Sequence, residues 1–299
     1  MTHTNSPARF TRRTCGYLAA AGLVSGIAGS AAAASIAFEG FDYAVGSAVV
    51  GANGGTGWGG AWASGVEGAR VDSTWEIAAG SLNGDDTAML ATVGNSATLT
   101  GDTGENLSIV RPLSGAFNTF AGGSQTWVSF TIEGGSGVAG AGIVLSNNEV
   151  DQQRIQFNPN NTTLELSGVV SGSAAVPTVD GQDRLIIARV TKNYDVGGDL
   201  SNDPLTIDVW YNPGDITSEF TLGAPVLTAT NTSGNFAFDT VELTSNFFVG
   251  LTIDEIRLAN ESFGDLGLST VPDVVIPEPA SIALLGLGGL AILGRHRKS

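Results

Sequence analysis

Apolar and polar residues alternate along much of the chain. In residues 126–132, Val128, Phe130 and Ile132 share one face while Trp127, Ser129 and Thr131 share the other. Leu205, Ile207, Val209 and Tyr211 alternate with Thr206, Asp208 and Trp210 in the same way. A period of two belongs to a strand, so both segments are predicted to be half-buried antiparallel strands. Residues 184–191 hold Leu185, Ile186, Ile187, Ala188 and Val190 in near succession, the pattern of a strand covered on both faces. In residues 247–258 the phase of Phe247, Val249, Leu251 and Ile253 breaks at Asp254-Glu255 and resumes at Ile256 and Leu258. A bulge at the acidic pair is predicted there.

Between residues 35 and 275 no apolar period of 3.6 is sustained, and clusters of Gly, Asn, Asp and Pro separate the strand signals. The chain of 299 residues holds 42 Gly, roughly twice the usual ~7%, so turns are many and long helices few. Many strands without alternating helices predict an all-β fold, an antiparallel β-sandwich or jelly roll in a single domain. Its core has about 240 residues to draw on.

Both ends depart from this pattern. Arg9, Arg12 and Arg13 precede an uncharged, Ala- and Gly-rich run up to Ala34, the layout of a secretory signal peptide with small-residue cleavage sites. Arg12-Arg13 also admits a twin-arginine export signal, although Thr14, Cys15 and Gly16 lack its apolar pattern. At the other end, Pro277-Glu278-Pro279 leads into an uncharged run over 280–294, closed by Arg295, His296, Arg297 and Lys298. The prolines stop a helix from extending backwards, and the terminal cations favour the cytoplasmic side. Fifteen helical residues span roughly 22 Å against a hydrocarbon core of about 30 Å. The expected transmembrane helix is therefore short, and snorkelling Arg and Lys must complete its span.

The Pro-Glu-Pro triplet, apolar run and basic cluster resemble the PEP-CTERM sorting signal of exported bacterial proteins. That resemblance implies recognition by an exosortase, a membrane protease that cleaves near the triplet, in bacteria that make exopolysaccharide. An ordinary single-pass anchor is the alternative, and either places the body on the outer side of the membrane. The expected organisation is a signal peptide over 1–34, a β-sandwich over 35–268, a linker over 269–276 and a sorting signal over 277–299. Membrane contact is expected through the C-terminal helix only.

Charge and composition narrow the chemistry. Acidic residues outnumber basic ones 29 to 13, for a net charge of −16. Within 35–275 there are 28 acidic and 7 basic residues, a net of 7 − 28 = −21. Such a body repels nucleic acid and anionic headgroups. His3, His296 and Cys15 lie in the tails, so the body holds neither imidazole nor thiol. Ser-His-Asp hydrolysis, Cys nucleophiles, disulfides and zinc sites built on these groups are excluded there.

Further stretches carry a second resemblance: Phe38-Glu39-Gly40-Phe41-Asp42-Tyr43, then Asn53-Gly54-Gly55-Thr56-Gly57-Trp58 and Ala61-Trp62. Later come Trp210-Tyr211-Asn212-Pro213 and Asp254-Glu255-Ile256-Arg257, followed by Phe263-Gly264-Asp265-Leu266. Their order is similar to that of exported bacterial proteins with a concanavalin A-like (laminin G-like) jelly roll. This implies a fold and a location; its motifs are structural, with Arg257 expected to bridge a carboxylate.

Three candidate sites remain. Trp58, Trp62 and Trp75 lie in Gly-rich or polar surroundings, where indole faces can stack on sugars or pack the N-terminal segment against the sandwich. Asp195, Asp199 and Asp203, with Asn202, could supply oxygens to Ca²⁺, the one cofactor considered, but the loop lacks the EF-hand order and a solvated loop is the alternative. Glycoside hydrolysis needs two carboxylates roughly 5 to 9.5 Å apart, whereas Asp254 and Glu255 would point to opposite faces of a regular strand. The expectation is a non-catalytic surface or matrix protein, with exosortase, the export machinery and exopolysaccharide as partners. A lectin-like carbohydrate-binding module is the alternative.

Overall fold

A computed structural model describes residues 37–268 apart from 66–72, 85–89, 102–105, 118–123, 135–138, 148–150, 158–162, 178–180, 193–203, 232–236, 247–249 and 261. The expected signal peptide, linker and sorting segment, with its transmembrane helix, lie outside the described residues, as do Asp195, Asp199 and Asp203. Among the described residues fifteen strands follow one another: β1 Ala37–Glu39, β2 Ala63–Ser64, β3 Ser73–Ala78, β4 Ser96–Gly101, β5 Asn106–Phe117, β6 Gln125–Glu133, β7 Ala139–Asn147, β8 Asp151–Phe157, β9 Thr163–Gly168, β10 Gly172–Ala175, β11 Arg184–Lys192, β12 Leu205–Tyr211, β13 Leu227–Asn231, β14 Phe238–Asn246 and β15 Thr252–Asn260. The described helical elements are two short 3-10 turns, Glu219–Thr221 and Phe263–Leu266.

These strands form two antiparallel sheets. One runs β13-β12-β11-β6-β15-β4-β3, with β1 added beside β15; the other runs β10-β9-β8-β7-β14-β5-β2. Between them lies the main core, to which alternate residues of each sheet contribute: Val128, Phe130 and Ile132 from β6, Ile143 and Leu145 from β7, Ile155 and Phe157 from β8, and Val241 and Leu243 from β14. This is the all-β antiparallel sandwich that the alternation predicts.

The prediction of half-buried strands at residues 126–132 and 205–211 is corrected. Residues 126–132 are buried on both faces, as are Asp208 and Trp210 on the outward side of β12. A second apolar cluster on the outside of the eight-stranded sheet explains this. Trp127, Leu185, Ile187, Trp210 and Ala259 pack there beneath Leu90, Ile216, Leu222, Phe263 and Leu266. Trp127 stacks on Trp210 with centroids 5.7 Å apart and meets Phe263 edge-on at 5.1 Å. The covering residues come from the connection between β3 and β4, the connection after β12 and the turn after β15, so the burial is tertiary in origin. β11 is covered on both faces as its apolar run predicts.

The predicted bulge also falls where expected. Pairing of β15 with β6 shifts register between Asp254 and Arg257, and Glu255 has φ +52°.

Candidate functional site

Three polar assemblies sit on this frame. The first fastens the N-terminal segment to the seven-stranded sheet. Arg111 projects from β5 into the interior, fully buried, and pairs with Glu39, which is 1% exposed. Its Nε donates to the Gly60 carbonyl at 2.9 Å, and Nη2 donates to the Gly54 carbonyl at 2.6 Å and to Asn53 Oδ1 at 3.3 Å. Glu39 in turn accepts the Phe41 amide at 2.9 Å, the Tyr43 hydroxyl at 2.9 Å and the Trp62 indole N–H at 3.2 Å. Burial and the Glu39 charge raise the Tyr43 pKa, which keeps the phenol protonated and donating.

The guanidinium lies 4.7 Å from the Trp58 ring centre and 5.6 Å from that of Trp62, within cation–π range. Trp58 also donates from Nε1 to the Phe38 carbonyl at 2.9 Å. The glycines of the Asn53–Trp58 stretch allow this close approach. Gly55 has φ +68°, and a Cβ there would stand 2.3 Å from the Phe38 carbonyl oxygen, which only glycine avoids.

This arrangement places the three tryptophans proposed for glycan stacking. Trp58 is half-buried against Arg111, while Trp62 and Trp75 are 1% and 2% exposed within the main core. Trp58 and Trp62 are brought together, with centroids 5.9 Å apart, and Trp75 packs separately from β3. An indole so enclosed has no face for a sugar ring, so Trp62 and Trp75 serve packing.

The second assembly is the acidic pair. Asp254 and Glu255 are both fully buried, and the bulge overrides the opposite-face geometry of a regular strand by turning both acids to one crossing segment. Asp254 accepts from the Ser81 hydroxyl, from the Leu82 amide at 3.0 Å and from the Glu255 amide at 2.7 Å. Glu255 accepts the Val93 amide at 2.8 Å and pairs with Arg257 at 2.6 Å. Arg257 continues to the Gly267 carbonyl at 2.7 Å and lies 4.7 Å from the Phe38 ring centre. The expected Arg257–carboxylate bridge is therefore present, and it ties the C-terminal turn to β15. Burial pushes the Asp254 carboxyl well above its ordinary pKa, and the neighbouring Glu255 charge adds to this. Burial raises Glu255 as well, opposed by Arg257.

The third assembly was not legible in the sequence. On the outward face of the seven-stranded sheet, backbone pairing aligns Ser108 of β5, Thr244 of β14, Gly142 of β7, Gln156 of β8 and Glu165 of β9 in one row. The next row holds Val110, Glu242, Val144, Arg154 and Ser167. Ser108 and Thr244 are 5% and 1% exposed, yet their hydroxyls and Gln156 Oε1 have no hydrogen-bond partner among the described residues. Buried polar atoms are ordinarily paired, so these three stand out among the described residues. Period-two alternation places these residues on a polar face, but only strand order aligns them.

Among the described residues, no three His, Cys, Asp or Glu side chains cluster as a metal site would require. No described helix is long and apolar enough to cross a membrane.

The fold and these assemblies define an all-β, two-sheet antiparallel sandwich whose charged clusters fasten its N-terminal and C-terminal segments. Residues 275–298 match the PEP-CTERM protein-sorting motif; this motif implies exosortase-targeted export to the cell envelope. No curated protein matches the sequence. Among solved structures the chain is similar to a glycosyl hydrolase family protein from Mycobacterium fortuitum, at 12% identity and TM-score 0.38, over 75% of this chain and 99% of that one. It is also similar to a β-1,3-glucanase from Mycobacterium marinum, at 13% identity and TM-score 0.36, over 74% and 97% of the two chains. A third is arcelin-5, a lectin-like defense protein from Phaseolus vulgaris, at 12% identity and TM-score 0.34, over 64% and 100%. These neighbours are jelly-roll domains of the lectin and glycosyl hydrolase kind, and such a fold hosts enzymes and non-enzymes alike.

Proposed function

We propose that this protein is a non-catalytic cell-surface or extracellular-matrix protein. In this reading a leader over 1–34 directs export and is removed, and the body over 35–268 folds outside the membrane. The linker over 269–276 joins the body to the sorting segment over 277–299, whose apolar helix holds the chain at the membrane until an exosortase processes it. Pro277, Glu278 and Pro279 form the recognition triplet, and Arg295, Arg297 and Lys298 anchor the cytoplasmic end. Exopolysaccharide is the medium into which the processed body passes.

One observation carries the non-catalytic reading: the conspicuous acids are engaged in fastening the fold. Glu39, Asp254 and Glu255 are buried and accept donors from the protein itself, whereas a hydrolytic carboxylate needs an oxygen free to meet a glycosidic bond or a water. Cell fractionation tests the sorting half. The full chain is expected in the membrane fraction, and a variant ending at residue 276 in the soluble exported fraction; equal retention of both overturns it.

The second reading is a lectin-like module, favoured by Arg154, Gln156, Glu165 and Ser167, which pair across β8 and β9 on the outward face of the seven-stranded sheet. These four side chains are half-buried rather than sealed, and their polar groups suit the hydroxyls of a glycan, whereas Ser108 and Thr244 are buried. Glycan-array binding by the full chain in detergent, lost in Gln156→Ala or Glu165→Ala, is the expected result. Loss of that binding in chelator would bring in Ca²⁺ at Asp195, Asp199 and Asp203, and binding unaffected by either substitution removes the polar face from consideration.

A further inference from the structure

The outward side of the eight-stranded sheet is covered over β6 and β15, but towards β13 it carries two polar rows. Arg189 of β11, Asp208 of β12 and Thr228 of β13 form one row, and Thr191, Thr206 and Thr230 of the same strands form the next. Within the first, Arg189 pairs with Asp208 at 2.6 Å and also with Glu219, while the Thr228 hydroxyl donates to Asp208 at 2.6 Å. In the second, the hydroxyls of Thr206 and Thr230 are 3.0 Å apart. Arg189 Nε and Thr191 Oγ1 are shielded from solvent and have no hydrogen-bond partner among the described residues. Adjacent strands are about 4.8 Å apart, so the threonines repeat at that interval.

The turn Glu219–Thr221 borders these rows through the Glu219–Arg189 pair, and it presents Phe220 at 95% exposure. The turn is held on both sides. Thr221 Oγ1 accepts the Ser218 amide at 3.1 Å, Asp215 accepts the Thr217 amide at 2.8 Å and its hydroxyl at 2.7 Å, and Leu222 is buried in the second apolar cluster. The phenyl ring is thus displayed in water by a fixed backbone.

We infer that Phe220 and the rows Arg189–Asp208–Thr228 and Thr191–Thr206–Thr230 form a binding surface for a neutral polysaccharide. An aromatic face attracts the C–H face of a pyranose through its quadrupole, while the exposed hydroxyls of Thr228 and Thr230 hydrogen-bond to sugar hydroxyls and the Arg189–Asp208 pair holds the rows in place. The surroundings select against other partners. Thr217 and Thr221 beside the ring are exposed and polar, unlike the apolar centre of a protein interface. The body's net charge of −21 disfavours anionic polymers. This surface lies on the sheet opposite the Ser108–Thr244–Gln156 row and stands independently of the lectin-like reading of that face.

The test uses the full-length protein in detergent on native gels cast with hydroxyethyl cellulose, dextran or galactomannan, with alginate as the anionic comparison. Retardation by at least one neutral polymer and not by alginate is expected. Phe220→Ala should weaken it about tenfold, the effect of one lost contact of roughly 1.4 kcal/mol, and Thr230→Val severalfold, with unchanged thermal midpoints because both side chains are exposed. Retardation by no neutral polymer overturns the inference, as does retardation that both variants retain. Retardation lost in Gln156→Ala but kept in Phe220→Ala overturns it in favour of the opposite face. A Phe220-dependent dimer in sedimentation without polymer retardation overturns it in favour of protein association.

Discussion

Glu39 and Arg111 stand 72 residues apart in the chain and meet as an ion pair with both side chains sealed from solvent. The pair sits where the first strand, the glycine-rich stretch and β5 converge, and its hydrogen bonds reach Phe41, Tyr43, Gly54, Gly60 and Trp62. Its function is to hold the N-terminal segment against the sandwich.

Breaking that pair leaves one buried charge alone. Arg111→Met is expected to destabilise the protein by about 3–5 kcal/mol, read from urea denaturation. Glu39→Leu combined with Arg111→Met should cost less than the two single losses added, because no uncompensated charge remains. Strict additivity would show that the two groups act independently.

Trp62 tests packing against recognition. Trp62→Ala removes a side chain that is 1% exposed and stacks on Phe41 with centroids 6.0 Å apart. A loss of about 3–5 kcal/mol is expected. Wild-type stability in Trp62→Ala would contradict the burial described above.

Asp254 makes a prediction about pH. Its folded-state pKa is raised above that of an unfolded aspartate, so its contribution is fully present below the unfolded value, near 3.9, and is lost as pH rises through the folded value. Asp254→Asn resembles the protonated form and keeps an acceptor for the Leu82 amide. The stability of this variant relative to wild type should therefore rise between pH 4 and neutrality and level off above the folded pKa. A difference that stays flat across that range argues against a raised pKa.

Removing the basic end of the sorting segment should act on location alone. Replacing Arg295, Arg297 and Lys298 by Ser leaves the body's ion pairs intact, so its thermal midpoint should match wild type. Less of the chain should be recovered in the membrane fraction on immunoblotting; undiminished recovery counts against anchoring by these cations.

Alternation in the sequence located strands in the segments that became β6, β11, β12 and β15, and the break in phase at Asp254-Glu255 marked the bulge. These features are local, because a strand's two faces are written at every second residue. The cover on β6 and β12 was not legible, since Ile216, Leu222, Phe263 and Leu266 arrive from other parts of the chain. The tryptophans illustrate the same limit: Gly-rich neighbours do not reveal that Trp62 points at Glu39. The Ser108–Thr244–Gln156 row depends on strand order, which local alternation leaves open.

The sequence by itself determined the strand-forming period, the sorting signal over residues 277–299, and a body without His or Cys, because each resides in residue identity and short-range spacing. Tertiary structure alone decided which charges are sealed in pairs, which strand faces are covered and which polar groups stand in a row. Those outcomes rest on contacts between distant segments, such as Ser81 with Asp254 across 173 positions, and the free energy of such a contact is set by burial that forms only when both sheets are assembled.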